Sequence, residues 1–307
     1  MTGKKDVAAS VRQRLLNRAH AERRPFNELL QYYAMDRFLY RLTQSAHSER
    51  FILKGALVMA AWDCPVQRPT MDIDLLARTS NAEENILGSL REVMACEVAP
   101  DGLDFVQDSL RIEQIVDHAE YGGLRARFEG RLGTARVHMQ VDIGFGDAVH
   151  PAPAAAELPP VLDGPPSRLL CYSRESVIAE KIEAMVRHGQ LNTRMKDFFD
   201  VWHLSRQFDF EGAVLVEAVR LTLERRETTL VLPLVALSSP FIADKQVQWS
   251  AFLNRARIEQ APASFRDVAL DLETFVGPVL AIAGTPALRA IGNWSPSTGW
   301  SAAAASR

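Results

Sequence analysis

Between Val7 and about His47 apolar residues recur at three- and four-residue steps: Leu15, Leu16 and Ala19, then Phe26, Leu29, Leu30, Tyr33, Phe38, Leu39 and Leu42. That spacing predicts amphipathic helix, and Arg23-Arg24-Pro25 divides it into two. In "RFILKGALVMAAWD" a short strand, Phe51 to Lys54, turns at Gly55 into an apolar helix. "PTMDIDLLA", Pro69 to Ala77, is a strand, and residues 81 to 100 read as another helix. From 101 to 149 short strands are expected, with turns at "DG", "YGG" and "RLG". The clearest is "RVHMQVDIGFGD", where Val137, Met139, Val141, Ile143 and Phe145 alternate with His138, Gln140 and Asp142. Such alternation marks a half-buried strand with Asp142 on its polar face.

The pattern then breaks. "HPAPAAAELPPVLDGPPS" is dense in proline and alanine and is expected to hold no regular element. The expected organisation is an N-terminal domain over 1–150, a linker over 151–168, a helical domain over 169–292 and a flexible tail over 293–307. No internal repeat is visible.

Composition narrows the class. The chain has 307 residues, 47% hydrophobic and 24% charged, enough for a sizeable core in two domains. With a formal net charge of −3, no global basic field draws it to nucleic acid, so such binding must come from local patches. Arg12, Arg14, Arg18, Arg23, Arg24, Arg37, Arg41 and Arg50 crowd the N-terminal helices. They are read either as a solvated helix face or as a surface for a polyanion. Three scattered cysteines, no apolar leader and no run long enough to span a bilayer fit a cytoplasmic protein with no membrane partner.

The aspartate strand raises the chemistry. Asp72 and Asp74 point to one face, roughly 7 Å apart, beside apolar neighbours, a costly arrangement unless positive charge lies between them. A divalent cation is the usual source of that charge. The glycine turn at Gly55 lets backbone N–H groups approach an anion, and a carboxylate pair on an adjacent strand can hold the cation that bridges a phosphate. Asp142 is a candidate third carboxylate, as a phosphoryl-transfer site needs, or else an ordinary exposed strand residue.

Two later helices add candidates. In "SRESVIAEKIEAMVRHG" Val177, Ile178, Ile182, Met185 and Val186 form an apolar arc that includes Lys181, whereas Glu180, Glu183 and Arg187 fall on the expected solvent side. An inward lysine forms a buried salt bridge or meets an anion such as a nucleotide phosphate. In "NTRMKDFFDVWHLSRQ" Arg194 and Asp197 lie at the core's edge and are site candidates. Lys196 and Asp200 read as a surface pair, and His203 as incidental.

In order and spacing, "FILKGALVMAAW", "RPTMDIDLLA", "VDIGFGD", "AEKIEAMV" and "RMKDFFDVWHL" resemble the AbiEii/AbiGii nucleotidyltransferase toxin family, over roughly residues 10 to 290. The resemblance implies an α+β fold: a nucleotidyltransferase-like mixed sheet flanked by helices, as in DNA polymerase β-type enzymes, followed by a C-terminal helical domain that closes the nucleotide cleft. It implies that Asp72 and Asp74 hold magnesium, or manganese, with Asp142 as the third strand carboxylate. Lys181 would contact the NTP phosphates and Asp197 would complete the site. Lys54, Gly55, Ala56, Arg194 and Lys196 would line the nucleotide. Ala56 departs from the Ser or Gly usual after the first glycine, which removes a hydroxyl contact to phosphate.

The activity implied is transfer of a nucleotide from an NTP to RNA, at a tRNA 3′ acceptor end, blocking translation in a toxin–antitoxin or phage-defence setting. The arginine-rich helices would hold the tRNA, and a winged-helix antitoxin is the implied partner. The alternatives are nucleotidyl transfer to a protein or small molecule, and a non-catalytic nucleotide-binding protein. A phosphohydrolase or glycosyltransferase also uses D-x-D, but Leu75-Leu76 follows the pair where the dehalogenase-type pattern wants Thr or Val.

Overall fold

The computed structural model describes residues 6–62, 64, 68–115, 122–285 and 291–302. The chain divides into two compact units, one of residues 1–146 with 154–171, the other of residues 147–153 with 172–307.

The first unit opens with α1 (Val7–Glu22) and α2 (Phe26–Gln44), separated at the predicted break. Asp6 caps α1 by accepting from the Ala9 N–H at 3.1 Å. Both helices bury their predicted stripe, with Leu15, Phe38 and Leu39 at most 1% exposed. A seven-stranded sheet follows: β1 (Phe51–Lys54), β2 (Ile73–Ala77), β3 (Leu103–Ile115), β4 (Gly123–Leu132), β5 (Ala135–Phe145), β6 (Ala154–Leu158) and β7 (Ser167–Cys171). Its order is β3-β4-β5-β2-β1-β7-β6. It is mixed, since β2 runs parallel to β5 and β1 parallel to β7 while the other neighbours are antiparallel. α3 (Glu83–Ala95) completes the unit. Phe38, Phe105 and Phe128 pack edge-to-face or tilted between α2 and the sheet, with ring centroids 5.3 to 5.7 Å apart.

Several expectations change. The stretch expected as a linker, 151–168, supplies β6 and the start of β7; β6 is an edge strand, and Pro159, Pro160, Pro165 and Pro166 fall in its connection to β7, where no ladder bond is lost. The segment after Gly55 is a 3₁₀ turn of six residues, Leu57–Trp62, too short to act as a dipole-bearing helix. The strands of the 101–149 region are long, 13, 10 and 11 residues. Turns fall at Gly102 and Gly133 as predicted, with φ of 74° and 59°, whereas Tyr121 of the third predicted turn lies outside the described residues.

The N-terminal arginines divide. Arg37 and Arg41 are each 6% exposed, Arg37 paired with Asp36 at 2.9 Å and Arg41 with Asp101 at 2.7 Å. Arg24 pairs with Glu28 at 2.8 Å, while Arg12, Arg14, Arg18, Arg23 and Arg50 are exposed.

The second unit is helical: α4 (Arg174–His188), α5 (Met195–Gln207), α6 (Gly212–Arg225), α7 (Ser239–Ala256) and α8 (Phe265–Gly284). Phe198, Phe241, Trp249 and Phe265 form its aromatic core, each 0% exposed. The expected flexible tail over 293–307 is partly ordered. β9 (Asn293–Ser295) pairs with β10 (Gly299–Trp300) and with β8 (Phe210–Glu211). Trp294 and Trp300 pack on Phe275, with centroids at 4.8 and 5.7 Å. The buried Trp294 and the half-buried Trp300 outweigh the low-complexity text around them. Residues 303–307 lie outside the described residues. Among the described residues no helix is long and apolar enough to cross a membrane.

Candidate active site

The sheet register builds the first cluster. Lys54 on β1 is opposite Asp74 on β2, Asp74 is opposite Asp142 on β5, and Asp142 is opposite Arg125 on β4. In-register neighbours share a face, so one rung across four strands carries Lys, Asp, Asp, Arg. Asp72, two residues before Asp74, shares that face. Carboxylate oxygens of Asp72, Asp74 and Asp142 all lie within 4.8 Å of one another, and all three residues are half-buried. Three oxygen donors this close, with an opening to solvent, suit a hard divalent cation. The alternating apolar residues, Ile73, Leu75, Val141 and Ile143, are at most 1% exposed on the opposite face.

Each carboxylate has its own support. The Thr70 hydroxyl donates to Asp72 at 2.9 Å, the Thr70 N–H donates to the Tyr32 hydroxyl at 3.1 Å, and the Gln31 amide donates to the Met71 carbonyl at 3.1 Å. Helix α2 thus fixes the start of the D-x-D strand. Gly55, with φ of 70°, makes room for Asp74: a Cβ there would fall 2.0 Å from Asp74 Oδ2. Its absent side chain is a requirement of the site as well as of the turn. Asp142 accepts two hydrogen bonds from Arg125, from Nε and Nη2, both at 2.7 Å. Gln140 adds a third at 3.3 Å.

The second cluster lies within the helical unit. Lys181, on α4, is 11% exposed at its side chain and holds two carboxylates of α5, Asp197 at 3.1 Å and Asp200 at 2.6 Å, each 1% exposed. Arg194 closes on Asp197 from its other side at 2.5 Å and is itself half exposed. Burial alone would push the Asp197 carboxyl up, but Lys181 and Arg194 together outweigh it and hold it below the ordinary carboxylate range. Lys181 therefore has a buried ion pair, one of the two outcomes that its inward position allowed. Asp200 corrects an expectation: it belongs to this pair and is no surface partner of Lys196. Lys196 is exposed, and Ala56 is buried beside Gly55.

Glu183 is a second correction. Expected in solvent, it is 0% exposed, pairs with Arg226 at 2.8 Å and accepts from the Thr228 hydroxyl at 2.7 Å. Arg226 also reaches Asp147 and Glu180, each at 3.0 Å. Sequence reasoning missed this network because a helical wheel ranks Glu183 by its own α4 and cannot see the end of α6 lying over it. His203, taken as incidental, is buried and stacked on Phe199 at 5.6 Å.

A comparison with curated protein sequences gives no match. Among solved structures the chain is similar to MenT4, a nucleotidyltransferase toxin from Mycobacterium tuberculosis H37Rv, at 17% identity, covering 90% of this chain and 98% of that one with a TM-score of 0.50. It is also similar to JHP933 from Helicobacter pylori, at 16% identity, over 84% of this chain and 92% of that one, with a TM-score of 0.48. At such identity the MenT4 likeness speaks for the fold: a mixed sheet flanked by helices, with further helices C-terminal to it. The family model described as nucleotidyl transferase AbiEii toxin, type IV toxin–antitoxin system, matches residues 37–270, most of the chain and both clusters. The chain belongs to the AbiEii family of nucleotidyltransferase toxins.

Proposed function

We propose that this toxin transfers a nucleoside monophosphate from an NTP to RNA, at a tRNA 3′ acceptor end, with release of pyrophosphate. The observation that carries the reading is the acidic triad on one sheet face with Lys54 and Arg125 at either end of its rung. Asp72, Asp74 and Asp142 would hold a divalent cation, magnesium or manganese, which when bound offsets phosphate charge and polarises the α-phosphate. Asp142 also orients the acceptor hydroxyl and takes its proton as the oxygen forms a bond to the α-phosphorus. The bond from that phosphorus to the α–β bridging oxygen breaks, and the electron pair leaves with pyrophosphate. Lys54 and the Gly55–Ala56 turn are assigned to the triphosphate. From the helical unit we assign Lys181 and Arg194 to phosphate charge, Asp197 to their placement, and Lys196 to the nucleotide. A cytoplasmic setting and a winged-helix antitoxin belong to the same reading, as does a role in phage defence.

A specific observation favours the runner-up. With Arg37 and Arg41 tied into buried ion pairs, the N-terminal helices offer a polyanion fewer arginines than their text suggests, which suits transfer to a protein or small molecule. One experiment separates the two. Purified protein is incubated with magnesium, each labelled NTP in turn, and total tRNA or cell lysate, beside an Asp72→Ala, Asp74→Ala variant. Label entering RNA only with the intact pair is the expected result; label entering protein redirects the acceptor, and no label with any nucleotide overturns the catalytic reading.

A further inference from the structure

Arg125 stands at the end of the rung and has no chemical task in the reaction as proposed. Its guanidinium reaches both oxygens of Asp142 in a fork at 2.7 Å, and the pair is partly shielded, with 30% and 17% of the two side chains exposed. Glu113 on β3 is directly opposite Arg125, and Glu113 and Asp72 add to the negative field around it. A bidentate arginine–carboxylate pair is planar and directional, so it fixes the carboxylate's rotation as well as its charge. Asp72 and Asp142 differ in this respect: Asp72 accepts from the neutral Thr70 hydroxyl on one oxygen, whereas Asp142 has a full cation across both.

We propose that Arg125 is a positioning residue with two separable effects. Its fork holds Asp142 in the orientation needed to meet the acceptor hydroxyl. Its charge offsets one of the three carboxylates, so the triad binds a divalent cation weakly by itself and the nucleotide's own phosphates complete the cation's charge balance. The inference rests on the nucleotidyl-transfer reading of the same triad. Removing the guanidinium alters the two effects in opposite directions: a unit positive charge this near an ion weakens its binding, so its loss tightens the ion. Loss of an outer-shell partner that orients a carboxylate costs catalysis, by about 10–100-fold.

The test compares Arg125→Gln, which loses fork and charge, with Arg125→Lys, which keeps only the charge. Mn2+ binding to the nucleotide-free full chain is titrated by electron paramagnetic resonance, and transfer kinetics are measured on the same preparations, with melting temperature as the check on folding. In Arg125→Gln, Mn2+ is expected to bind about tenfold or more tighter while kcat falls roughly 10–100-fold and KM for NTP changes little. In Arg125→Lys, Mn2+ affinity stays near the parent value and kcat still falls. Added guanidine is expected to restore part of kcat in Arg125→Gln and nothing in Asp142→Asn. Unchanged kcat in both arginine variants, or Mn2+ bound equally or more weakly by Arg125→Gln, overturns the proposal. Full activity of Asp72→Ala, Asp74→Ala would instead overturn the reading beneath it.

Discussion

Gly55 is the residue at which backbone and chemistry constrain each other most tightly. Its positive φ is costly for any residue with a side chain, by about 1–3 kcal/mol, and the Asp74 carboxylate occupies the space a Cβ would need. Gly55→Ala is therefore expected to lower stability by that amount and to displace Asp74, so transfer activity falls much further than the melting temperature implies. Parallel thermal melts and label-transfer assays test this, and equal, small losses in both would count against it. Asp197 gives a pH-dependent case. Because its folded-state carboxyl titrates below its unfolded value, the stability it contributes is present above about pH 4 and is lost as pH falls through the depressed folded value. Asp197→Ala removes one of the buried carboxylates that hold Lys181 and is expected to cost about 3–5 kcal/mol at neutral pH, in the range for a broken buried pair. Urea titrations across pH should show a constant penalty down to about pH 5 and a smaller one below about pH 4.

At the scale of elements, the loop and helix ends decide more than the helices do. The turn after α6 carries Arg226 over α4, where Asp147, Glu180 and Glu183 converge on it. Carboxylates surround a half-buried guanidinium there, and their attraction outweighs its desolvation so that its pKa is raised and it stays charged. Glu183→Ala would leave that charge under-compensated in the interior and is expected to destabilise the helical unit by about 3–5 kcal/mol. Glu217→Ala on α6, whose pairing with Arg220 at 2.8 Å is in solvent, is expected to leave the urea midpoint where it was. A midpoint shift of the same size in both would refute the distinction. The strand β6 makes a related point. Alanine-rich and bordered by prolines, it has little strand signal of its own, and it forms because β7 offers an open edge with five paired positions.

For the whole molecule, charge bears on the acceptor. The formal net charge is −3, and the buried pairs of Arg37 and Arg41 remove two of the N-terminal cations from any surface role. RNA binding would then rest on few phosphate contacts. Each contact to single-stranded RNA contributes about −0.7 to the slope of log K against log salt, so the exposed Arg12, Arg14, Arg18, Arg23 and Arg50 bound the slope at about −3.5. A slope steeper than about −5 in filter-binding titrations with tRNA would show a larger basic surface than the N-terminal helices provide.

Much of this was written in the text of the chain. Periodicity located α1, α2, α4, α5 and the long strand β5, because a stripe of apolar residues has one cheap way to leave water. The D-x-D pair, read together with the Gly55 turn, marked a candidate site by its electrostatic cost, since like charges on one strand face need a counter-charge. The sequence could not say what stands beside what in space. That Asp142 meets Asp74 and Arg125 is a fact of strand order, β4-β5-β2, set by pairings across dozens of residues. Asp200, Glu183, Arg37 and Arg41 are buried where their local text suggests a surface, for the same reason: a charged residue's burial depends on partners that other elements bring to it. Local pattern determined which segments are helix or strand and which carry acid. Only the tertiary packing decided which charges are neutralised and which remain to act.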